Sequence, residues 1–135
     1  MSAQEQQALQ ERYYSEAIKY MDKAEKCLIN VKIEDNFYKK PRRVKKACKM
    51  AYKGLFIAVD GFLVLNDIYL TNKKKKYIVY YEWSITKIDP KMWQIFHSAY
   101  IILSNIRYDG INNVTIIKEG FDLAYKIIEK IKPTA

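Results

Sequence analysis

The stretch PRRVKKACKMAYKGLFIAVDGFLVLNDIY, from Pro41 to about Tyr69, constrains the fold of this chain most. Its apolar residues Val44, Ala47, Cys48, Ala51, Leu55, Ala58, Phe62, Leu65 and Tyr69 recur at steps of three and four. A helix sets such a series on one face, whereas a strand would alternate. Pro41 suits the first turn, where its missing N–H costs nothing. The second half adds Ile57, Leu63 and Val64 and is apolar almost all round, so more than one neighbour should cover it. Gly54 and Gly61 fall on the same side of this helix. Each costs roughly 1 kcal/mol relative to Ala in a helix, a cost that close approach of a second helix would offset.

Shorter helices are expected around this one. The first runs from near Ser2 to about Asn30, with Leu9, Tyr13, Ala17, Tyr20, Ala24 and Leu28 as its stripe. Val31 to Lys40 reads as a connection with a turn-like Glu34-Asp35-Asn36 centre. It should wrap one end of the bundle and tuck Val31, Ile33 and Phe37 beneath it. Beyond the long helix, Thr71 or Asn72 can cap the segment KKKKYIVYYEWSITKI. Its Tyr-Ile-Val-Tyr-Tyr run favours strand as much as helix. Helix is the reading taken, because a lone strand has nothing to pair with. Asp89 as cap and Pro90 at the first helical position open a fourth helix, reaching about Ile106. Arg107-Tyr108-Asp109-Gly110 breaks the pattern. Asn113 can cap the last helix, whose apolar face runs from Val114 through Ile117, Phe121, Ala124 and Ile128 to Ile131 before Pro133 stops it. The predicted fold is all-α: an up-and-down bundle of four to five helices in a single domain, with the long helix at about 41–69 as its spine.

Composition narrows the class. Half of the 135 residues are apolar, while only 4 are Gly and 3 are Pro, which excludes disordered and collagen-like chains. Cys27 and Cys48 each sit within a helical apolar pattern. They read as buried free thiols in a reducing compartment rather than a disulfide framework. The polar start MSAQEQQALQER has no apolar segment of the signal-peptide kind. No apolar run is long enough for a transmembrane helix, so no membrane partner is expected and the cytoplasm is the expected location.

The net charge of +9 permits nucleic acid, an anionic surface or an acidic protein as partner. Its placement is uneven. Arg42, Arg43, Lys45, Lys46, Lys49 and Lys53 fill the first half of the long helix; Asp60 and Asp67 fall in the second. This opposes the helix dipole, which favours acids at the start and bases at the end. The cluster is either solvated surface or an anion-binding patch, and Arg42, Arg43, Lys46 and Lys49 are the candidate nucleic-acid contacts. The run Lys73–Lys76 reads as a solvated tip. It lies roughly 40 Å from the first cluster along the helix, so the two cannot form one compact patch within a monomer. Asp60 is either a partly buried, paired carboxylate or a ligand contact, grouped in the second case with Arg107, Tyr108 and Asp109 at the helix break.

Chemistry finds little to work with. His97 is the single histidine and lies in an aromatic-rich helix, so it suits a structural or surface role. Metal sites need clustered His, Cys or carboxylates, which this pattern does not supply. The isolated glycines form no phosphate loop or dinucleotide fingerprint. No metal, no cofactor and no enzymatic activity are expected.

The stretches ACKMAYKGLFIAVDGFL and LSNIRYDGINNVTIIKEGFDLAYKIIEKIKP, together with the order of helices, resemble the HEPN superfamily of small bacterial helical bundles. The pattern is more similar still to an uncharacterised bacterial family, a domain of unknown function, of the same general architecture. HEPN ribonucleases carry an Arg shortly before a His. Here no His follows Arg107 as far as Val114, and Lys91, Met92 and Trp93 stand where that Arg would precede His97. The resemblance therefore implies the non-catalytic branch, whose bundles serve as binding or assembly partners. The expected role is a non-catalytic bundle acting through binding, as a homo-oligomer with a dimer first, or with another protein. The 12 Tyr and 2 Trp suit an interface. The alternative is an RNA- or nucleotide-binding helper of a nucleotidyltransferase or toxin–antitoxin type system.

Overall fold

The computed structural model describes residues 1–109 and 112–134, with side chains for all of these except 106–109. Among the described residues five α-helices carry the fold: α1 (Ala3–Leu28), α2 (Pro41–Leu65), α3 (Ile78–Ile88), α4 (Pro90–Asp109) and α5 (Val114–Glu129). A hairpin of β1 (Ile33–Glu34) and β2 (Phe37–Tyr38) joins α1 to α2, and a 3₁₀ turn (Lys74–Lys76) precedes α3.

The caps expected at Asp89 and Asn113 are in place, and Ser2 adds a third. Ser2 Oγ accepts from the Glu5 N–H at 3.1 Å, Asp89 Oδ1 from Met92 at 3.1 Å and Asn113 Oδ1 from Ile116 at 3.0 Å. Each satisfies an N–H that the first turn of a helix leaves without a partner. Pro41 occupies the first turn of α2, which has no side-chain cap and no acid near its start.

α2 is the spine. It touches α1, α4 and α5, and its Val44, Ala47, Cys48, Ala51, Leu55, Ala58, Val59 and Leu63 are buried. The helices run up and down. Gly61 meets Tyr13, whereas Gly54 meets Ala17 and Met21, so α1 is antiparallel to α2. Phe56 packs on Phe96 and Tyr52 on Tyr100, so α4 is antiparallel to α2 on another side. Gly120 meets Ile102 and Leu103, and Lys130 reaches Asp89, so α5 returns along α4.

The glycines of α2 allow the close approach expected of them. A Cβ on Gly61 would lie 2.7 Å from the Tyr13 Cβ, and one on Gly54 would lie 3.0 Å from the Ala17 carbonyl oxygen. At Gly54 the obstacle is backbone, which cannot swing aside.

Three boundaries differ from expectation. α2 ends at Leu65, not Tyr69, although the apolar period continues past it. There Asp67 turns left-handed at φ 62°. Its N–H bonds the Val64 carbonyl at 3.0 Å and the Ile68 N–H bonds Leu63 at 2.8 Å, a Schellman end that spends Ile68 on capping. α1 stops at Leu28, two positions before the left-handed Asn30 (φ 63°), and α4 continues through Arg107 and Tyr108 to Asp109 rather than stopping at Ile106.

The first connection is a hairpin rather than a wrapping loop. Asp35 and Asn36 both have positive φ, 52° and 66°, the backbone of a tight two-residue hairpin turn. Val31 is buried as expected, but Ile33 and Phe37 stand 51% and 45% exposed, and Tyr38 is the buried residue instead. The hairpin fastens onto the start of α5. The Val114 N–H donates to the Asn36 carbonyl at 2.9 Å, the Tyr38 N–H donates to Asn112 at 3.0 Å, and Asn36 Nδ2 donates to Thr115 Oγ1 at 2.9 Å.

The ambiguous segment is helical, as read, from Ile78 to Ile88, while Tyr77 before it is extended. Thr71 Oγ1 accepts from the Lys74 N–H at 3.2 Å and starts the 3₁₀ turn, and α3 then buries Tyr81 and Ile85.

Candidate nucleic-acid interface

The antiparallel pairing of α1 and α2 sets two basic surfaces face to face. On α2, Arg43 and Lys46 lie three residues apart, one helical turn, and so point the same way. On α1, Lys23 and Lys26 do the same. Together with Cys27 and Met50 they line an open groove of about 520 Å³. Met50 and Cys27 supply its apolar lining. Among the described residues none of these four cations forms an ion pair with an acid; the ion pairs present are Lys39–Glu34, Lys75–Asp60 and Lys130–Asp89.

The positive surface continues beyond the groove. Lys23 and Lys26 also border a second hollow of about 440 Å³, with Lys19, Asp22, Tyr14, Ser15 and Ile18. Lys23 Nζ sits 4.9 Å from the centre of the Tyr20 ring, and Lys53 Nζ of α2 sits 5.8 Å from the same ring. Tyr20 thus bridges the cations of the two helices through its π face.

Of the expected basic contacts, the fold brings Arg43 and Lys46 into the groove. Arg42 and Lys49 are exposed on α2 outside its lining. Lys23 and Lys26 enter the site from a helix face that reads, in sequence, as an ordinary mixed-charge surface. Their signal was a matched three-residue spacing on both helices, which becomes meaningful only once the antiparallel register is known.

Asp60 takes the paired reading. Its Oδ1 accepts from the Tyr81 hydroxyl at 2.9 Å, and its Oδ2 lies 3.5 Å from Lys75 Nζ. The side chain is 20% exposed. Burial raises its pKa above the ordinary carboxylate value, against the lowering effect of Tyr81 and Lys75. The adjoining hollow, about 160 Å³, is lined mainly by Leu63, Val64, Ile68, Leu70 and two tyrosines. Asp60 therefore ties α2 to α3 and the 3₁₀ turn. The side chains of its proposed companions Arg107, Tyr108 and Asp109 lie outside the described residues.

His97 is exposed on α4 and stacks between Trp93 (5.0 Å, 26°) and Tyr100 (6.3 Å, 23°). Among the described residues no group of three or more His, Cys, Asp or Glu stands close enough together to hold a metal ion. No helix among them is long and apolar enough to cross a membrane.

No curated protein matches the chain. A solved structure of a protein of unknown function from Dyadobacter fermentans is similar: 27% identical, with a TM-score of 0.75, covering 90% of this chain and 94% of that one. The profile of a family described as a domain of unknown function, DUF5618, matches residues 12–133, nearly the whole chain, and the protein belongs to that family.

Proposed function

We propose that this protein is a non-catalytic helical bundle that works by binding, and that its partner is RNA held by its phosphates in the α1–α2 groove. The observation that carries this reading is the convergence of Lys23, Lys26, Arg43 and Lys46 with no acid among the described residues paired to any of them. Like charges gathered without counter-ions repel, and the start of α2 adds the positive end of its dipole. A phosphate chain relieves both strains at once. The groove is open, with cations contributed by both helices, which suits an extended polyanion. The role agrees with the binding or assembly role that the HEPN resemblance implies, and with the RNA-binding helper held as its alternative. Two free thiols, Cys27 and Cys48, suit a cytoplasmic protein.

A second reading is self-association, first as a dimer. Ile29, Ile33 and Phe37, on and beside the hairpin, are large apolar side chains about half exposed, and they favour it. Light scattering over a concentration series tests it, and a monomer at high micromolar concentration ends it.

Titration of labelled RNA over a salt series tests the groove. Binding should tighten as salt falls, with a slope of about 0.7 per phosphate contact for a single strand. The pairs Lys23→Ala/Lys26→Ala and Arg43→Ala/Lys46→Ala should each weaken binding and flatten the slope. Absence of binding at low salt, or groove variants that bind like the wild type, would overturn the reading.

A further inference from the structure

The outer face of α3 carries a row of rings that the core does not use. Tyr81 and Ile85 point inward, whereas Tyr77 and Trp83 are exposed and Tyr80 between them is half-buried. Tyr77 and Trp83 are 54% and 59% exposed. The rings meet edge to face, Tyr77 to Tyr80 at 6.1 Å and 69°, and Tyr80 to Trp83 at 5.7 Å and 84°. Immediately before them run Lys73, Lys74, Lys75 and Lys76. Lys74 Nζ stands 5.5 Å from the centre of the Tyr80 ring. Lys75 is engaged by Asp60; among the described residues Lys73, Lys74 and Lys76 form no ion pair.

We infer that this face is a second binding site, a platform on which bases of single-stranded nucleic acid stack while the lysine run holds the adjoining phosphates. The inference rests on the nucleic-acid reading above but uses different residues on a different helix. Exposed rings offer π faces to any base, and cations beside them attract the backbone. A duplex keeps its base faces within its own stack, so these rings favour a single strand. A second copy of the chain fits less well. A two-fold contact centred here would bring both lysine runs together, and the whole chain carries +9.

The test uses the full chain with three probes: labelled oligouridylate, duplex RNA and inorganic polyphosphate, which has charge but no bases. Trp83→Ala and Tyr80→Ala should each weaken oligouridylate binding at least about fivefold. Trp83→Phe should restore most of it, and affinity for polyphosphate and duplex should stay unchanged. Replacing Lys73, Lys74 and Lys76 by Ala should weaken oligouridylate binding as well. Trp83→Ala binding oligouridylate like the wild type would overturn the platform, as would equal losses for all three probes. A dimer that Trp83→Ala converts to monomer would also overturn it, assigning the face to a second copy. Groove variants that lose both single-strand and polyphosphate binding while Trp83→Ala loses neither would leave the groove standing and remove the platform. A wild type that binds oligouridylate but not polyphosphate, and loses it in Trp83→Ala, would do the reverse.

Discussion

The Tyr81 hydroxyl donates to Asp60 Oδ1 at 2.9 Å, a bond that holds α3 against the spine of the bundle. Both groups are largely out of water, so each needs the other. Burial, followed by the neighbouring carboxylate, raises the Tyr81 pKa, and burial raises that of Asp60.

The pair makes an asymmetric prediction. Tyr81→Phe removes the donor and leaves the carboxylate with Lys75 alone, a loss of about 1–3 kcal/mol. Asp60→Asn keeps an oxygen acceptor for Tyr81 and removes a buried charge. It gives up only a partly exposed ion pair, so it should fall within about 1 kcal/mol of the wild type at neutral pH. The pH dependence has a definite sign. An acid whose folded pKa is raised stabilises most below its unfolded value, here near 3.8, and loses that contribution as pH rises through the folded value. The stability of the wild type relative to Asp60→Asn should therefore fall with rising pH across that window. Urea melts at several pH values check this, and a difference that grows instead would contradict the burial argument.

Asp67 makes a second case. It closes α2 in the left-handed conformation at φ 62° and is exposed. It also sets a negative charge at the negative end of the helix dipole. Asp67→Asn tolerates the same backbone without the charge and should gain about 0.3–1 kcal/mol at low salt. Asp67→Gly removes the steric cost as well and should gain about 1 kcal/mol. Asp67→Val should lose stability, because a β-branched residue fits that conformation poorly. Denaturant midpoints rank the three, and Val matching Gly would contradict the Schellman end.

The same position explains why periodicity overruns the end of α2. Ile68 and Tyr69 keep the apolar rhythm, so periodicity alone carries the helix through a residue that has already turned. The Asp-Asn turn of the hairpin is similarly quiet. It lacks the glycine that marks such turns most clearly, and strands of two residues are too short to show alternation. Long helices and side-chain caps were legible because they depend on neighbours three or four residues away. The basic site was half legible. Arg43 and Lys46 stand in a visible cluster, but Lys23 and Lys26 join them only through the antiparallel register, set by Gly54 and Gly61 against α1.

The two thiols lie in different surroundings. Cys48 is fully buried, and burial pushes its pKa up to about 12, from an ordinary value near 9. Cys27 is half-buried and lines the groove. A thiol reagent at pH 8 should label Cys27 promptly and Cys48 only after unfolding, since the thiolate is the reactive form and the interior excludes it. Equal labelling in the folded protein would contradict the core packing. Cys48 holds its proton more tightly when folded, so its contribution is complete below about pH 9 and is lost as pH rises to about 12. That loss is on the order of 4 kcal/mol. Tyr125, pushed to about 12 by burial and then by Glu25 and other nearby acids, moves in the same direction. Cys48→Ala isolates the thiol. Its stability relative to the wild type should improve steadily from pH 9 upward, and a constant difference would show that the thiolate forms without cost inside the bundle.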